Sequence, residues 1–477
     1  MTDFHLIVPE ATLLGLACLV LLVDAFRSPR STAATFWTAI LAGLVVLGQI
    51  AAFVPEAPGI GFHGSFRLDV MGAVLKAFCV VLTLFSFFYT REYCEKRKVA
   101  MSEFYPLALF ATLGMMLLIS ANSLLTVYLG LELLSLSLYA LVAMNRDSAA
   151  SSEAAMKYFV LGALASGMLL YGISMVYGVT GTIDLPELLT RATAAGDKRI
   201  LVIFGLVFMV VGISFKLGVV PFHMWVPDVY QGAATPVTLF IGTAPKLAAF
   251  AMAVRVLVFG LSGLAAEWQQ MLIVLCVLSM GVGNIVAIAQ TNFKRMLAYS
   301  TIAHMGFLLL GILSANGKGY AASMFYSTVY SLMSMGAFGS IILLANERSE
   351  SDQLSDLAGL AKRSPWFAFM VLVLVFSLAG VPPFAGFWAK WFVLKEVIAA
   401  GYVWLAGLAV FFSLIGGYYY LRVVKLMYFD QPEGRPAITA SPDLKLVLSV
   451  NSLAVLALGL APGILMSVCL SAMSYQP

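Results

Sequence analysis

The sequence predicts an all-α polytopic membrane protein of about fourteen transmembrane helices, with two inverted five-helix repeats and two broken helices. Composition is the first reason: of 477 residues, 61% are hydrophobic and only 11% charged. Mean hydropathy is +0.95, whereas a soluble domain is roughly 25% charged. The second is the succession of apolar runs of about 20 residues, the length that crosses a bilayer. The third is a pattern that occurs twice. Gly212 to Trp225 and Ser377 to Trp391 each hold a Gly-Val-x-Pro-Phe core, at Gly218 to Phe222 and Gly380 to Phe384. Proline breaks a helix and frees backbone polar groups that hydrocarbon cannot satisfy. A lysine accompanies each break (Lys216, Lys390), and such a charge must face protein or water.

The spans lie near 6–26, 33–54, 70–90, 104–120, 123–144, 154–179, 199–219, 228–258, 270–290, 295–314, 321–345, 365–398, 402–428 and 444–467. Two of them, 228–258 and 365–398, are too long for a straight crossing and contain internal proline, so kinks or unwinding must absorb the excess. The first is read as a retained span, because no basic region precedes it and no small-residue cleavage site follows. The basic clusters Arg27/Arg30, Arg91/Lys96/Arg97/Lys98, Lys294/Arg295, Lys362/Arg363 and Arg422/Lys425 fall on one side of this arrangement. The positive-inside rule makes that side cytoplasmic and puts both termini outside. Leucines at helical spacing predict interfacial helices in 183–199 on the outer face and in 350–363 on the inner face.

The two cores are 162 residues apart and lie in the seventh and twelfth spans. Five spans is an odd offset, so the copies cross in opposite senses, as in an inverted repeat. The chain then divides into a three-helix segment (1–100), a first repeat (101–260), a second, inverted repeat (261–430), and a cytoplasmic loop with the last helix (431–477).

Intramembrane charges are the candidate functional groups. Glu132 and Lys246 sit in mid-span, where an ionisable residue costs at least ~2.5–3.5 kcal/mol. Lys157, Lys294 and Lys395 lie nearer span ends, where snorkelling competes with a functional role, and Lys76 is read as snorkelling. His223 and His304 are relay candidates because histidine titrates near neutral pH; hydrogen-bonded packing is the competing reading. The cysteines are scattered without C-x-x-C spacing, so neither an iron–sulfur cluster nor structural zinc is expected. A buried lysine holds its proton less tightly and a nearby carboxylate restores the affinity, which favours protons as the cargo.

The segment Phe-Lys-Leu-Gly-Val-Val-Pro-Phe-His-Met-Trp-Val-Pro-Asp-Val-Tyr-Gln-Gly-Ala at 215–233 resembles the signature of the antiporter-like membrane subunits of respiratory complex I, and its Asp-Val-Tyr-Gln-Gly stretch is similar to the subunit N branch. Residues 131–139 and 292–306 resemble the same family. The resemblance implies that Glu132 is the gating glutamate, Lys216 its partner on the broken helix, Lys246 the central relay lysine and Lys390 the outlet-side lysine. It also implies that FMN, iron–sulfur clusters and quinone are bound by partner subunits, with no cofactor in this chain. Other complex I membrane subunits and the lipid bilayer of a bacterial inner membrane are the expected partners, and nucleic acid is not. An Mrp-type cation/proton antiporter subunit is the alternative, and a membrane scaffold the third reading.

Overall fold

A computed structural model describes residues 3–26, 32–55, 57–432, 438 and 440–474. In chain order the helices are α1 (Val8–Phe26), α2 (Ala33–Ala52), α3 (Val70–Arg97), α4 (Phe104–Ile119), α5 (Leu124–Val142), α6 (Ala149–Thr180), α7 (Leu185–Thr193), α8 (Arg199–Leu217), α9 (Trp225–Gly232), α10 (Thr235–Ile241) and α11 (Ala244–Ala253). They continue as α12 (Ala265–Ile288), α13 (Phe293–Leu313), α14 (Gly317–Leu344), α15 (Leu360–Arg363), α16 (Pro365–Ala379), α17 (Ala385–Ala399), α18 (Val403–Tyr428), α19 (Pro442–Leu460) and α20 (Pro462–Ala472). Twelve of the described helical segments are long and apolar enough to cross a membrane. Phe104–Ile119 and the broken pair α16–α17 supply two further crossings, so the chain is a multi-pass membrane protein with the predicted helical fold.

Two span boundaries differ from expectation. Residues 225–232 belong to the far half of the seventh, broken helix rather than to the eighth. The eighth starts at Thr235, is interrupted between Ile241 and Ala244, and ends in a π-helical stretch, Val254–Gly260. Proline at the start of α10 and α11 explains both restarts: it lacks the N–H that a helix interior needs but suits a first turn. Pro462 does the same between α19 and α20. The loop after α2 holds a strand pair absent from the sequence reading, β1 (Gly59–Gly61) and β2 (Phe66–Leu68), antiparallel with Ile60 opposite Arg67.

Helices pack tightly where side chains are missing. A Cβ on Gly114 would lie 2.5 Å from the Leu134 nitrogen, and one on Gly130 would lie 2.7 Å from the Leu118 nitrogen, so α4 and α5 touch backbone to backbone. Small residues serve this purpose in membranes, where apolar burial gives no drive for association. The first two helices of the second repeat, α12 and α13, meet in a similar way, with Gly283 against the Ala303 nitrogen.

The two leucine-bearing loops are partly helical, and their apolar faces pack on the chain itself. Leu185, Leu188 and Ala192 of α7 are buried, as are Leu354, Leu357 and Leu360 in the 350–363 loop. Cross-links gather the described basic clusters on one face: Lys98 pairs with Glu347, Arg91 with Asp443, and Arg422 bonds the Gln290 carbonyl. Arg27 and Arg30 lie outside the described residues. The hairpin, the 120–123 turn and the 182–185 turn share the opposite face, joined by Arg67 N–H to Ser120 and Leu124 N–H to Ile183. α10, α11, α13 and α14 are almost wholly buried and form a central column, which carries Lys246, Lys294 and His304.

Candidate functional site

Both breaks have the same backbone. Gly218 and Gly380 adopt φ of 80° and 86°, a left-handed conformation costly for any residue with a Cβ. Each ends its helix with the same bonds: the glycine N–H reaches Ser214 and Phe215 in one and Phe376 and Ser377 in the other, and the following valine N–H returns to Ser214 or Phe376. The peptides Val220–Pro221 and Pro382–Pro383 are both cis, at one register of the repeat.

What remains unpaired at each break is met by side chains, above all by a lysine. Lys246 Nζ donates to the Leu217 carbonyl at 2.9 Å and sits 5.1 Å above the Trp225 ring. Lys390 Nζ donates to the Ala379 carbonyl at 2.8 Å and to Ser413 at 2.8 Å, and lies over Phe307. Leu217 and Ala379 occupy the same place in the two repeats, immediately before the left-handed glycine. The break lysines are therefore Lys246 and Lys390, and not the Lys216–Lys390 pairing that the sequence motif invites. A charged donor on a carbonyl is worth about 1.5–3 kcal/mol, and it sits where the partial negative charge of a helix C-terminus collects. Ser279 and Trp225 complete the first break through the Val220 N–H and the Phe215 carbonyl, and Ser377 accepts the Gly386 N–H at the second.

Lys216 points the other way, toward α5, and donates to Ser135 Oγ at 3.0 Å. Ser135 stands one turn from Glu132, whose carboxylate accepts from Ser166 of α6. Glu132 and Lys216 interact through their charges without direct contact among the described residues. Glu132 is half-buried on the outer flank of the chain, between the exposed Leu129 and Leu136.

His304 lies at the centre, with Nδ1 2.7 Å from the Tyr326 hydroxyl and Nε2 3.1 Å from that of Tyr420. Tyr420 is bonded to Ser300, and Tyr330 donates to Thr301 at 2.7 Å. His304 is within electrostatic reach of Lys390, and Lys246 of Lys216. Glu132, Lys216 and Lys246 thus form one linked set, and His304 and Lys390 a second, set among the tyrosines.

The other candidates stand apart. His223 lies in the turn of the first break, close to the Pro221 backbone, and its Nδ1 has no hydrogen bond of ordinary geometry among the described residues. Lys157 is on the loop-side surface, paired with Glu153 at 2.7 Å and Asp228 at 2.8 Å; its carboxylate partners, at a helix end near water, account for its position. Lys395 is exposed. The snorkelling reading of Lys76 is overturned: it is 1% exposed and 2.5 Å from Glu10 of α1. Lys294 does not snorkel either, since it is buried against Glu350 at 2.9 Å. A cluster missed altogether joins Asp69 to Arg255 at 2.6 and 2.8 Å and to Arg67 at 2.9 Å. An arginine in an apolar run was the available signal for it. Among the described residues no group of three or more His, Cys, Asp or Glu is placed to hold a metal ion.

Residues 121–416 match a family described as the NADH:quinone oxidoreductase/Mrp antiporter transmembrane family. A relative from Nitrosomonas europaea, named NADH-quinone oxidoreductase subunit N, is 52% identical over 99% of this chain and 98% of its own. Among solved structures, a chain of respiratory complex I from Thermus thermophilus superposes with a TM-score of 0.82 at 33% identity, covering 96% of this chain and 98% of that one. A chain of the Mrp complex from a Dietzia species gives 0.80 at 21% identity, covering 100% and 98%, and shares the fold. With half-identical relatives matched end to end and the membrane-domain model spanning both breaks, the chain belongs to the NADH-quinone oxidoreductase subunit N family of antiporter-like membrane subunits.

Proposed function

We propose that the chain moves protons across the membrane along the row Glu132, Lys216, Lys246, His304 and Lys390, as a subunit of a proton-translocating NADH:quinone oxidoreductase. The observation that carries this reading is the lysine on each break. Each ammonium is buried and caps a helix-end carbonyl at the same register, and hydroxyl and imidazole groups able to pass a proton stand along the row at Ser135, His304 and Ser413. Glu132 stands at the flank, where a neighbouring membrane subunit alters its surroundings and so biases Lys216. Residues 101–260 and 261–430 serve as the two half-paths, with 1–100 and 431–477 packed around them. Electron transfer from NADH to quinone, with FMN and iron–sulfur clusters, belongs to partner subunits. The protein lies in a bacterial inner membrane, with the basic loops cytoplasmic and both termini outside. His223 and Lys157 serve near the first break and at its loop-side surface, and not in the row.

The test uses the assembled complex in proteoliposomes. Lys216→Ala and Lys390→Ala lower proton uptake and coupled NADH oxidation several-fold while assembly and artificial-acceptor reductase activity are retained. Normal pumping by both, in a fully assembled complex, sinks the reading and leaves the charges a scaffolding role. Sodium-driven proton exchange by the isolated chain favours the Mrp-type alternative.

A further inference from the structure

At the loop-side mouth of the first repeat stands a second ionisable cluster that the row does not use. Glu350, in the loop after α14, is bonded by Tyr93 of α3, by Thr235 at the first turn of α10, and by Lys294 of α13. Lys294 Nζ also holds the Ala233 carbonyl at 3.1 Å, at the end of the far half of the broken helix, and lies 3.7 Å from Asp352. This knot sits between two open surface cavities. One, of about 370 Å³, is lined by Tyr93, Arg97, Arg146, Asp147 and Ala234. The other, of about 390 Å³, is lined by Lys157, Asp228, Asn292, Arg295 and Asp352. Both are large enough for several waters; Glu350 lines neither, but its side chain is 21% exposed, and Tyr93 and Asp352 beside it line one each.

Beneath it runs α10, which leads to Lys246. Eleven residues at 1.5 Å each separate Thr235 from Lys246, roughly 16 Å, too far for one transfer. Tyr230 occupies the interval. Its ring lies against Gly242, one turn before Lys246, and packs on Trp225, over which the Lys246 ammonium sits. The Tyr230 hydroxyl is fully buried and faces Thr301, without a hydrogen bond of ordinary geometry among the described residues. A buried hydroxyl left unpaired costs about 1–3 kcal/mol, and bound water is the usual partner of such a group.

We propose that Glu350 is the proton-loading group of this half-path, and that Tyr230 is the station between it and Lys246. A hydronium in either cavity gives its proton to a Glu350 oxygen, leaving water and a neutral acid, while Lys294 keeps its charge against Ala233 and Asp352. The acid then gives the proton to buried water. Tyr230 takes one proton from that water on its oxygen as its own hydroxyl proton passes to a neutral Lys246 amine, which becomes the ammonium. Glu350 returns to the carboxylate and re-forms its bond to Lys294. The proposal rests on Lys246 being a relay lysine.

The experiment compares Glu350→Gln, Glu350→Asp, Tyr230→Phe and Lys246→Ala in the assembled complex in proteoliposomes, reading initial proton uptake per NADH oxidised and the overall rate. Glu350→Gln keeps bonding capacity toward Tyr93 and Thr235 but cannot carry the proton. It is expected to lower coupled proton uptake at least five-fold, with Glu350→Asp retaining half or more, a rescue that loss of packing would not give. Tyr230→Phe removes one oxygen and leaves the ring stack; it is expected to lower uptake at least three-fold, and it decides the matter if Glu350→Gln fails to assemble. Normal pumping by Tyr230→Phe, or by an assembled Glu350→Gln, overturns the proposal provided Lys246→Ala is impaired. Normal pumping by Lys246→Ala overturns the relay reading on which it rests.

Discussion

Asp69 offers the sharpest separation of structural charge from transported charge. It caps α3 through the Gly72 N–H at 2.8 Å, and it pairs with two guanidiniums, Arg67 and Arg255, that both lie over the Phe259 ring, at 4.7 and 5.0 Å. Burial alone would raise its carboxyl, but Arg255, with the Gly72 amide and Arg67, holds it down to about 2. Against the ordinary 3.8, that difference corresponds to roughly 2.5 kcal/mol of preference for the ionised form. The sign follows from linkage: a carboxylate pulled below its usual value stabilises the fold above pH ~4 and loses that contribution as the pH falls through about 2. Asp69→Asn removes the charge at all pH values and leaves Arg255, 0% exposed, without its counter-ion, a cost of about 3–5 kcal/mol. An unfolding entropy of about 2.1 cal/mol/K per residue gives about 1 kcal/mol/K for a chain of this length, so the midpoint falls by about 3–5 °C. Thermal unfolding in detergent measures it. Asp69→Leu combined with Arg255→Met should recover most of the loss, since replacing a buried ion pair by apolar groups is often neutral. An unchanged midpoint in Asp69→Asn refutes the argument, as does selective loss of proton translocation at unchanged stability.

Lys76→Met should destabilise by a similar few kcal/mol, because Glu10 is left buried and charged; pairing it with Glu10→Gln restores stability, read by the same unfolding midpoint. Gly380→Ala places a Cβ 3.0 Å from Lys390 Cδ and 3.1 Å from its Nζ in a left-handed residue. It should cost more than about 1 kcal/mol and lower proton uptake as Lys390→Ala does, whereas Gly407→Ala, with nothing within 4 Å, should leave both unchanged.

The number of crossings and the two breaks were legible because bilayer thickness and backbone hydrogen bonding leave few alternatives. The junction between the seventh and eighth spans was not: α9 and α10 are both short and apolar, and only the redirected chain at Gly232 to Thr235 parts them. The mid-span charges were found because each is expensive where it stands. Lys76 was misjudged and Lys294 left open because sequence position gives depth but not direction. A lysine near a span end snorkels if its helix face meets lipid, and it is buried if that face meets Glu10 or Glu350. Tyr230, Tyr326, Tyr330 and Tyr420 left no trace, since a tyrosine in an apolar run looks the same whether its hydroxyl joins a polar row or reaches a headgroup.

The lysines at the two breaks show what kind of likeness the repeats retain. Lys246 arrives from the next helix and Lys390 from the far half of the broken helix itself, so no alignment superposes them. Yet both ammoniums reach the carbonyl before the left-handed glycine. The physical demand explains the convergence: that carbonyl has lost its helical partner, it carries the helix-end charge, and a cation answers both. The demand constrains where the charge sits and not which residue delivers it. Lys216, adjacent to the first break in sequence, is thereby free to face Ser135 and Glu132. The first repeat then holds one lysine fixed by its break and a second responsive to the flank, while the second repeat has its break lysine and Lys294, which Glu350 holds at the loop side. In the proposed row such an asymmetry supplies a direction, since the half-buried Glu132 end is open to a neighbour without disturbing a break.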